Sequence, residues 1–184
     1  MSKVHESALA SAVRQASGIK VAECYQCGKC TAGCPMAKYM DLPPGLIMRL
    51  VQLGDPESEE RLLTSTGIWS CAGCLTCTQR CPKKLDPAAV IDALREISYR
   101  RGSVSARQKK VLEFHKAFLM VVEQTGRMSE VPLTALYKMT TGDFFSDVTM
   151  APLMMARGKL PIPKLIRGRK DVKRIFANCR KGAR

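Results

Sequence analysis

Two copies of one cysteine pattern restrict what this chain can fold into. The first runs through Cys24, Cys27, Cys30 and Cys34, followed by Pro35; the second runs through Cys71, Cys74, Cys77 and Cys81, followed by Pro82. Both read C-x2-C-x2-C-x3-C-P, the spacing by which thiolates hold a [4Fe–4S] cube. Two intervening residues let the backbone curl so that three sulfurs reach three iron corners. The fourth cysteine leaves in another direction, and the proline stops the loop from continuing as helix. In two-cluster proteins of this kind the fourth cysteine of each motif serves the other cube. One cluster is therefore expected on Cys24, Cys27, Cys30 and Cys81, and the other on Cys71, Cys74, Cys77 and Cys34. Two structural zinc sites are the competing reading of the C-x2-C pairs, but they leave the repeated C-x3-C-P unexplained. A disulfide framework is disfavoured, because the first residues lack the apolar run of a secretory leader.

A chain of 184 residues with 5% aromatics suits one domain or one domain with extensions, its centre partly filled by the two cubes. No stretch approaches the roughly 18 uninterrupted apolar residues of a membrane span. With nine cysteines and no leader expected, the prediction is a soluble cytoplasmic protein. The net charge of +14 is unevenly placed: from Met150 onward 11 Lys and Arg face only Asp171, giving 11 − 1 = +10 and leaving 14 − 10 = +4 for the rest. Each all-cysteinyl cube adds about two negative charges when oxidised, which brings the body near neutrality. Basicity belongs to the tail and is not a global field for nucleic acid.

Periodicity is helical throughout, with no strand alternation. Residues 5–19 predict an amphipathic helix with Leu9, Ala12, Val13 and Ala16 on one face and Gly18 as its stop. Between the motifs, Asp41-Leu42-Pro43-Pro44-Gly45 reads as the entry to a helix closed by Gly54, and Glu57 to Thr64 suits a second. Asp86-Pro87 caps a helix over 88–101 with Val90, Ile91, Leu94 and Ile97 inward. Another is predicted over 106–124, with Val111, Leu112, Phe114, Phe118, Leu119 and Val122 as its apolar side and His115 as a surface or structural residue. One helical turn or more is expected from Pro132 to Thr141, a methionine-rich stretch for contact or core packing at 144–155, an extended piece at 161–164, and a basic helix over 170–180. Trp69 is expected to shield a cube from water. Cys179 lies outside both motifs and reads as a spare thiol. The predicted architecture is mainly α: an N-terminal helix (1–20), an α-helical dicluster ferredoxin domain (21–126), and a basic, helical and extended C-terminal extension for docking a partner (127–184).

The motif residues also carry a family resemblance. The stretch from Cys24 to Pro35, with Gln26, Gly28 and Thr31, and the stretch from Trp69 to Pro82 resemble the small iron–sulfur subunit of heterodisulfide reductase, over about residues 20–125. The same helical module is similar to the cluster domains of succinate dehydrogenase iron–sulfur subunits and of anaerobic glycerol-3-phosphate dehydrogenase. The resemblance implies that the eight motif cysteines are ligands. It also implies that the chain relays electrons from a flavin-containing subunit to a catalytic one, where disulfide or related sulfur chemistry occurs, and that it has no substrate site of its own. The basic tail is more like relatives from sulfate-reducing and sulfur-oxidising bacteria. The residues agree with this division of labour: there is no G-x-G dinucleotide fingerprint, no adjacent cysteine pair and no nucleophile–base set. Competing readings are the iron–sulfur subunit of another quinone- or membrane-linked oxidoreductase, and an iron–sulfur protein using its tail on nucleic acid. Phe176 alone is aromatic after residue 150, so nucleic acid is not expected as a partner. Leu165, Ile166, Val172, Ile175 and Phe176 among basic residues keep open a tail lying on a membrane surface.

Overall fold

The structure, a computed structural model, describes residues 7–142, 151–158 and 168–182. Among these residues every regular element is a helix. In order they are α1 (Ala8–Ser17), α2 (Lys29–Ala32), α3 (Pro44–Leu53), α4 (Pro56–Thr64), α5 (Gly67–Ser70), α6 (Thr76–Gln79), α7 (Pro87–Arg100), α8 (Lys109–Thr125), α9 (Glu130–Thr141), α10 (Ala151–Ala156) and α11 (Arg169–Gly182), with 3-10 turns at Val21–Glu23, Ala37–Tyr39 and Ala106–Gln108. Contacts divide the chain into two compact units, Met1–Gln108 and Lys109–Arg184. The division falls before α8, whereas the sequence places that helix with the cysteine motifs. The reason lies in packing: α8 packs on α9 and α11.

In the first unit Gly18, Gly54 and Asp86 bound helices as the sequence predicts, and Ser7 and Asp55 add caps that the sequence reading does not single out. Ser7 Oγ accepts the Ala10 amide at 3.1 Å to open α1, and Gly18 at φ 73° closes it. Leu9 and Val13 are completely buried, while Ala16 on the predicted face is exposed. Asp55 opens α4 through the Ser58 amide, and Asp86 opens α7 through the Ala89 amide with Pro87 as the first helical residue. Helix α7 is the hub, packing on α1, α3, α4, α5 and α6. Its Val90, Ile91 and Leu94 are buried and Ile97 half-buried, as the periodicity predicts, against Ile47, Val51, Leu62 and Ile68. Burying an aliphatic side chain of this size contributes about 1.5–3 kcal/mol, so this helix organises the unit.

One polar group sits inside that core. Ser98, with no exposed surface, donates its hydroxyl to the Leu63 carbonyl at 2.6 Å, tying α7 to the last turn of α4. Replacing Ser98 with alanine leaves that buried carbonyl short of a partner, and is expected to cost about 1–2 kcal/mol in denaturant unfolding.

In the second unit the predicted apolar side of α8 is corrected. Its buried residues are Ala117 and Val121, which meet Leu133 of α9, while Phe114 and Leu119 are exposed. The small Ala117 lets α9 approach closely, and Phe114 meets Tyr137 edge-to-face at 5.8 Å between ring centres. His115 is exposed, as is Cys179 on α11. The helix expected from Pro132 begins at Glu130. The methionine-rich stretch is described only from Ala151, and residues 161–164 lie outside the described residues.

Candidate metal centre

The two motifs are spaced by 71 − 24 = 47 residues, and their backbones repeat at the same offset. Gln26 and its counterpart Gly73 both take left-handed φ values, 61° and 64°. So do Gly28 and Leu75, at 76° and 58°. Each loop then makes one helical turn, α2 or α6, that carries the third cysteine, and the two turns pack on each other. Gly33 meets its own counterpart: a Cβ there would lie 2.4 Å from Cδ of Arg80, so any larger residue would displace that side chain. The motifs thus form a pair of matched loops crossing at equivalent positions.

Cys24, Cys27 and Cys30 of the first motif and Cys81 of the second line one small cleft, together with Gly45 and Met48 of α3, Leu85, and Pro87 of α7. Gly45 is packed so tightly that a Cβ would meet Thr31 Oγ1 at 2.8 Å and Cys30 Sγ at 3.7 Å. Its amide donates to that same Thr31 hydroxyl at 2.8 Å, which pins α3 to the first loop. A turn through Lys84, itself at φ 56°, brings the Leu85 amide to Cys81 Sγ at 3.3 Å. In the second motif Cys77 is buried and Cys71 half-buried, while Cys74 is exposed with its sulfur 3.4 Å from Thr76 Oγ1. Cys34 is half-buried in the turn that follows Gly33.

The electrostatics follow from this crowding. Burial raises the Cys77 thiol pKa, and the nearby Cys71 and Cys30 thiolates raise it further. Burial likewise raises that of Cys30, with Cys24 adding to it, whereas the hydrogen bond with Thr76 lowers that of exposed Cys74. Desolvation, then the hydrogen bond to Cys27 and the charges of Cys27, Cys81 and Cys24, raise the Tyr25 hydroxyl. Gathered, partly desolvated thiolates repel one another until a positive core neutralises them.

These residues fit an iron–sulfur cluster. The sulfurs spread round the walls of a cleft, and among the described residues no three His, Cys, Asp or Glu side chains converge as they would on one ion. Trp69, two residues before Cys71 and packed against the core, has a buried indole N–H with no hydrogen-bond partner among the described residues.

Three supports for the motifs come from distant sequence. Arg95 of α7 donates Nε to the Ile68 carbonyl and Nη2 to the Cys71 carbonyl, both at 2.5 Å, holding the start of the second loop. Asp41 gathers the Leu42, Thr66 and Gly67 amides and the Ser65 hydroxyl, fixing the turn into α5. Gln52 of α3 donates to the Val21 and Cys24 carbonyls and accepts from Gln26. None of the three has a local sequence signal beyond being a polar residue among apolar neighbours.

Matched loops that gather cysteines from two motifs define a class, the two-cluster ferredoxin domain. In agreement, residues 20–85 match the family model described as a 4Fe-4S dicluster domain, and the chain carries two [4Fe–4S] clusters there. Over about half of its length the chain is similar to iron–sulfur subunits of heterodisulfide reductases. It is 32% identical over 96 residues to the CoB–CoM heterodisulfide reductase iron–sulfur subunit of Methanopyrus kandleri, covering 52% of this chain and 48% of that protein. It is 34% identical over 90 residues to the corresponding subunit of the ferredoxin:CoB-CoM heterodisulfide reductase of Methanosarcina acetivorans, covering 49% and 35%. Over 108 residues it is 31% identical to a CoB–CoM heterodisulfide reductase iron–sulfur subunit of Methanocaldococcus jannaschii, covering 59% and 56%. The chain thus spans from about a third to just over half the length of these relatives, which belong to an oxidoreductase. Among the described residues no helix is long and apolar enough to cross a membrane.

Proposed function

We propose that this chain is the electron-transfer subunit of a heterodisulfide reductase-like complex, passing electrons between a flavin-bearing subunit and one that acts on a disulfide or related sulfur substrate, with no substrate site of its own. In this reading Cys24, Cys27, Cys30 and Cys81 hold one cluster, and Cys71, Cys74, Cys77 and Cys34 hold the other. The observation that carries it is the cleft lined by three sulfurs of the first motif and the last sulfur of the second. When bound, each cluster supplies a centre that takes up and releases one electron.

The protein's own contribution is to hold the two centres close and partly dry. Helices α2 and α6 pack together, so the adjoining Cys30 and Cys77 set the two centres side by side. Crossed ligation makes each loop depend on the other, so that neither centre can move alone. Met48, Leu85 and Trp69 exclude water around the sulfurs, which tunes the potentials. Helix α11 supports a docking role for the basic extension, with Arg169, Lys170, Lys173, Arg174 and Lys181 set against Asp171 and with Ile175 exposed.

Anaerobic purification of the chain from its own cells tests the proposal. We expect about eight iron atoms and about eight sulfides per chain, and recovery with a flavoprotein that partly dissociates as salt screens exposed charges beyond about 8 Å. Zinc in place of iron, or recovery with no flavoprotein at low salt, would overturn it.

A further inference from the structure

The two matched loops differ at one chemically telling position. Where the second loop has Gly73 in the left-handed region, the first has Gln26 at nearly the same φ. A non-glycine residue is disfavoured in that conformation by the clash of its Cβ with the backbone. The Gln26 side chain, which Gly73 lacks, makes two contacts. Its Nε2 donates to Gln52 Oε1 at 2.8 Å and lies 3.6 Å from Cys24 Sγ as a donor.

The direction of this chain of amides is set by the backbone. Gln52 Nε2 donates to two carbonyls, Val21 at 3.0 Å and Cys24 at 2.7 Å, so its nitrogen must face the loop and its oxygen must face outward to Gln26. Gln26 must then present its nitrogen to that oxygen, which leaves its second proton for the Cys24 sulfur. Flipping either amide would set oxygen against oxygen, so the donor cannot turn away without breaking the whole relay. Both glutamines are half-buried, which limits competition from water.

We propose that Gln26, positioned by Gln52, donates an N–H to the Cys24 sulfur and raises the reduction potential of the cluster held by the first motif, making the two clusters unequal. Reduction adds one electron and therefore one negative charge, shared between iron and its thiolates. A donor on a thiolate stabilises that extra charge more than the oxidised form, so the potential rises. The second loop has glycine at the matching position, so Cys71 gains no counterpart of this contact; the side-chain contact that loop does make, Thr76 Oγ1 at 3.4 Å, is to the sulfur of the exposed Cys74, where water competes. The inference rests on the proposed ligation by Cys24, and it assigns to Gln26 and Gln52 the task of ordering the two centres in energy.

The test is a redox titration of the purified, cluster-loaded chain followed by electron paramagnetic resonance, alongside Gln26→Gly and Gln52→Leu. The first-motif signal is identified by its loss in Cys27→Ala. Gln26→Gly places in the first loop the residue that the second already uses at that φ, so the backbone is relieved rather than strained. At the ambient potential where the native first cluster is half reduced, we expect its reduced-to-oxidised ratio to fall about three- to tenfold in Gln26→Gly, a tenfold fall corresponding to ~59 mV for one electron. Gln52→Leu should shift it in the same direction by less, and the second cluster should stay put in both. Full iron and sulfide with an unmoved first cluster in Gln26→Gly would overturn the inference while leaving the relay intact. Equal shifts of both clusters would overturn it too, by showing a general loosening. Absence of clusters from the native chain would instead refute the relay itself. If Gln26→Gly fails to load, Gln52→Leu carries the decision, because it leaves the loop sequence untouched.

Discussion

Replacing Cys81 with alanine is expected to abolish the cluster of the first motif and spare that of its own. Cys81 lines the cleft with Cys24, Cys27 and Cys30, and its sulfur accepts the Leu85 amide at 3.3 Å. Without that fourth thiolate the cleft keeps only three ligands. Iron should fall from about eight to about four atoms per chain. The reciprocal change, Cys34→Ala, should remove the centre built on Cys71, Cys74 and Cys77. Serine in place of either cysteine offers an oxygen ligand, so it should retain a cluster with a displaced potential. The measurement is metal and sulfide analysis with paramagnetic resonance of the reduced protein, the native chain serving as the two-signal reference. Loss of the second-motif signal from Cys81→Ala would show that each motif serves its own cluster. Because ligation is also folding energy, Cys81→Ala should loosen the contact between α2 and α6, and faster hydrogen exchange there would register it.

Asp41→Ala should be the most damaging change outside the cysteines, at about 2–3 kcal/mol of unfolding free energy. One carboxylate accepts four donors: Oδ1 takes the Gly67 amide at 2.6 Å, the Ser65 hydroxyl at 2.7 Å and the Leu42 amide at 2.8 Å, and Oδ2 takes the Thr66 amide at 2.9 Å. Gly67 is so enclosed that a Cβ would lie 2.5 Å from the Leu42 carbonyl oxygen, and its amide also reaches Ser65 Oγ at 2.9 Å. Burial by itself raises the carboxyl pKa, but the hydrogen bonds outweigh it and hold the value below the ordinary range. A value lowered on folding contributes stability that is present above the ordinary carboxylate pKa and fades as pH falls through the folded one. Asp41→Asn keeps an acceptor for Gly67, Ser65 and Leu42 and loses the one for Thr66, so it should cost about 1 kcal/mol and flatten the acid limb. Denaturant unfolding of the three chains at neutral and acid pH checks both parts. An unchanged acid limb in Asp41→Asn would show that another group governs it. The turn held by Asp41 leads through α5 directly into Cys71, so the cluster of the second motif should be lost first as the variant unfolds.

Much of the helical framework was legible in the sequence because its signals are local. Asp86 caps a helix within three residues of itself, and Gly18 and Gly54 end helices by adopting a conformation other residues avoid. The inward face of α7 follows from a period of 3.6 residues, and the two clusters follow from cysteine spacing. The apolar side of α8 was misread because a stripe of large residues does not say which neighbour arrives. Ala117 and Val121 are buried there because α9 closes over the small residue, leaving Phe114 and Leu119 outside. The partners of Asp41, Arg95 and Gln52 are set apart by 24 to 31 residues at most of their contacts. No period or spacing encodes such pairs, since each forms only after two helices have packed. Sequence by itself determined that this chain is helical and that its chemistry resides in two repeated cysteine loops. Tertiary structure decided what the Gln26 side chain reaches, because its contact with Gln52 depends on α3 packing against the first loop.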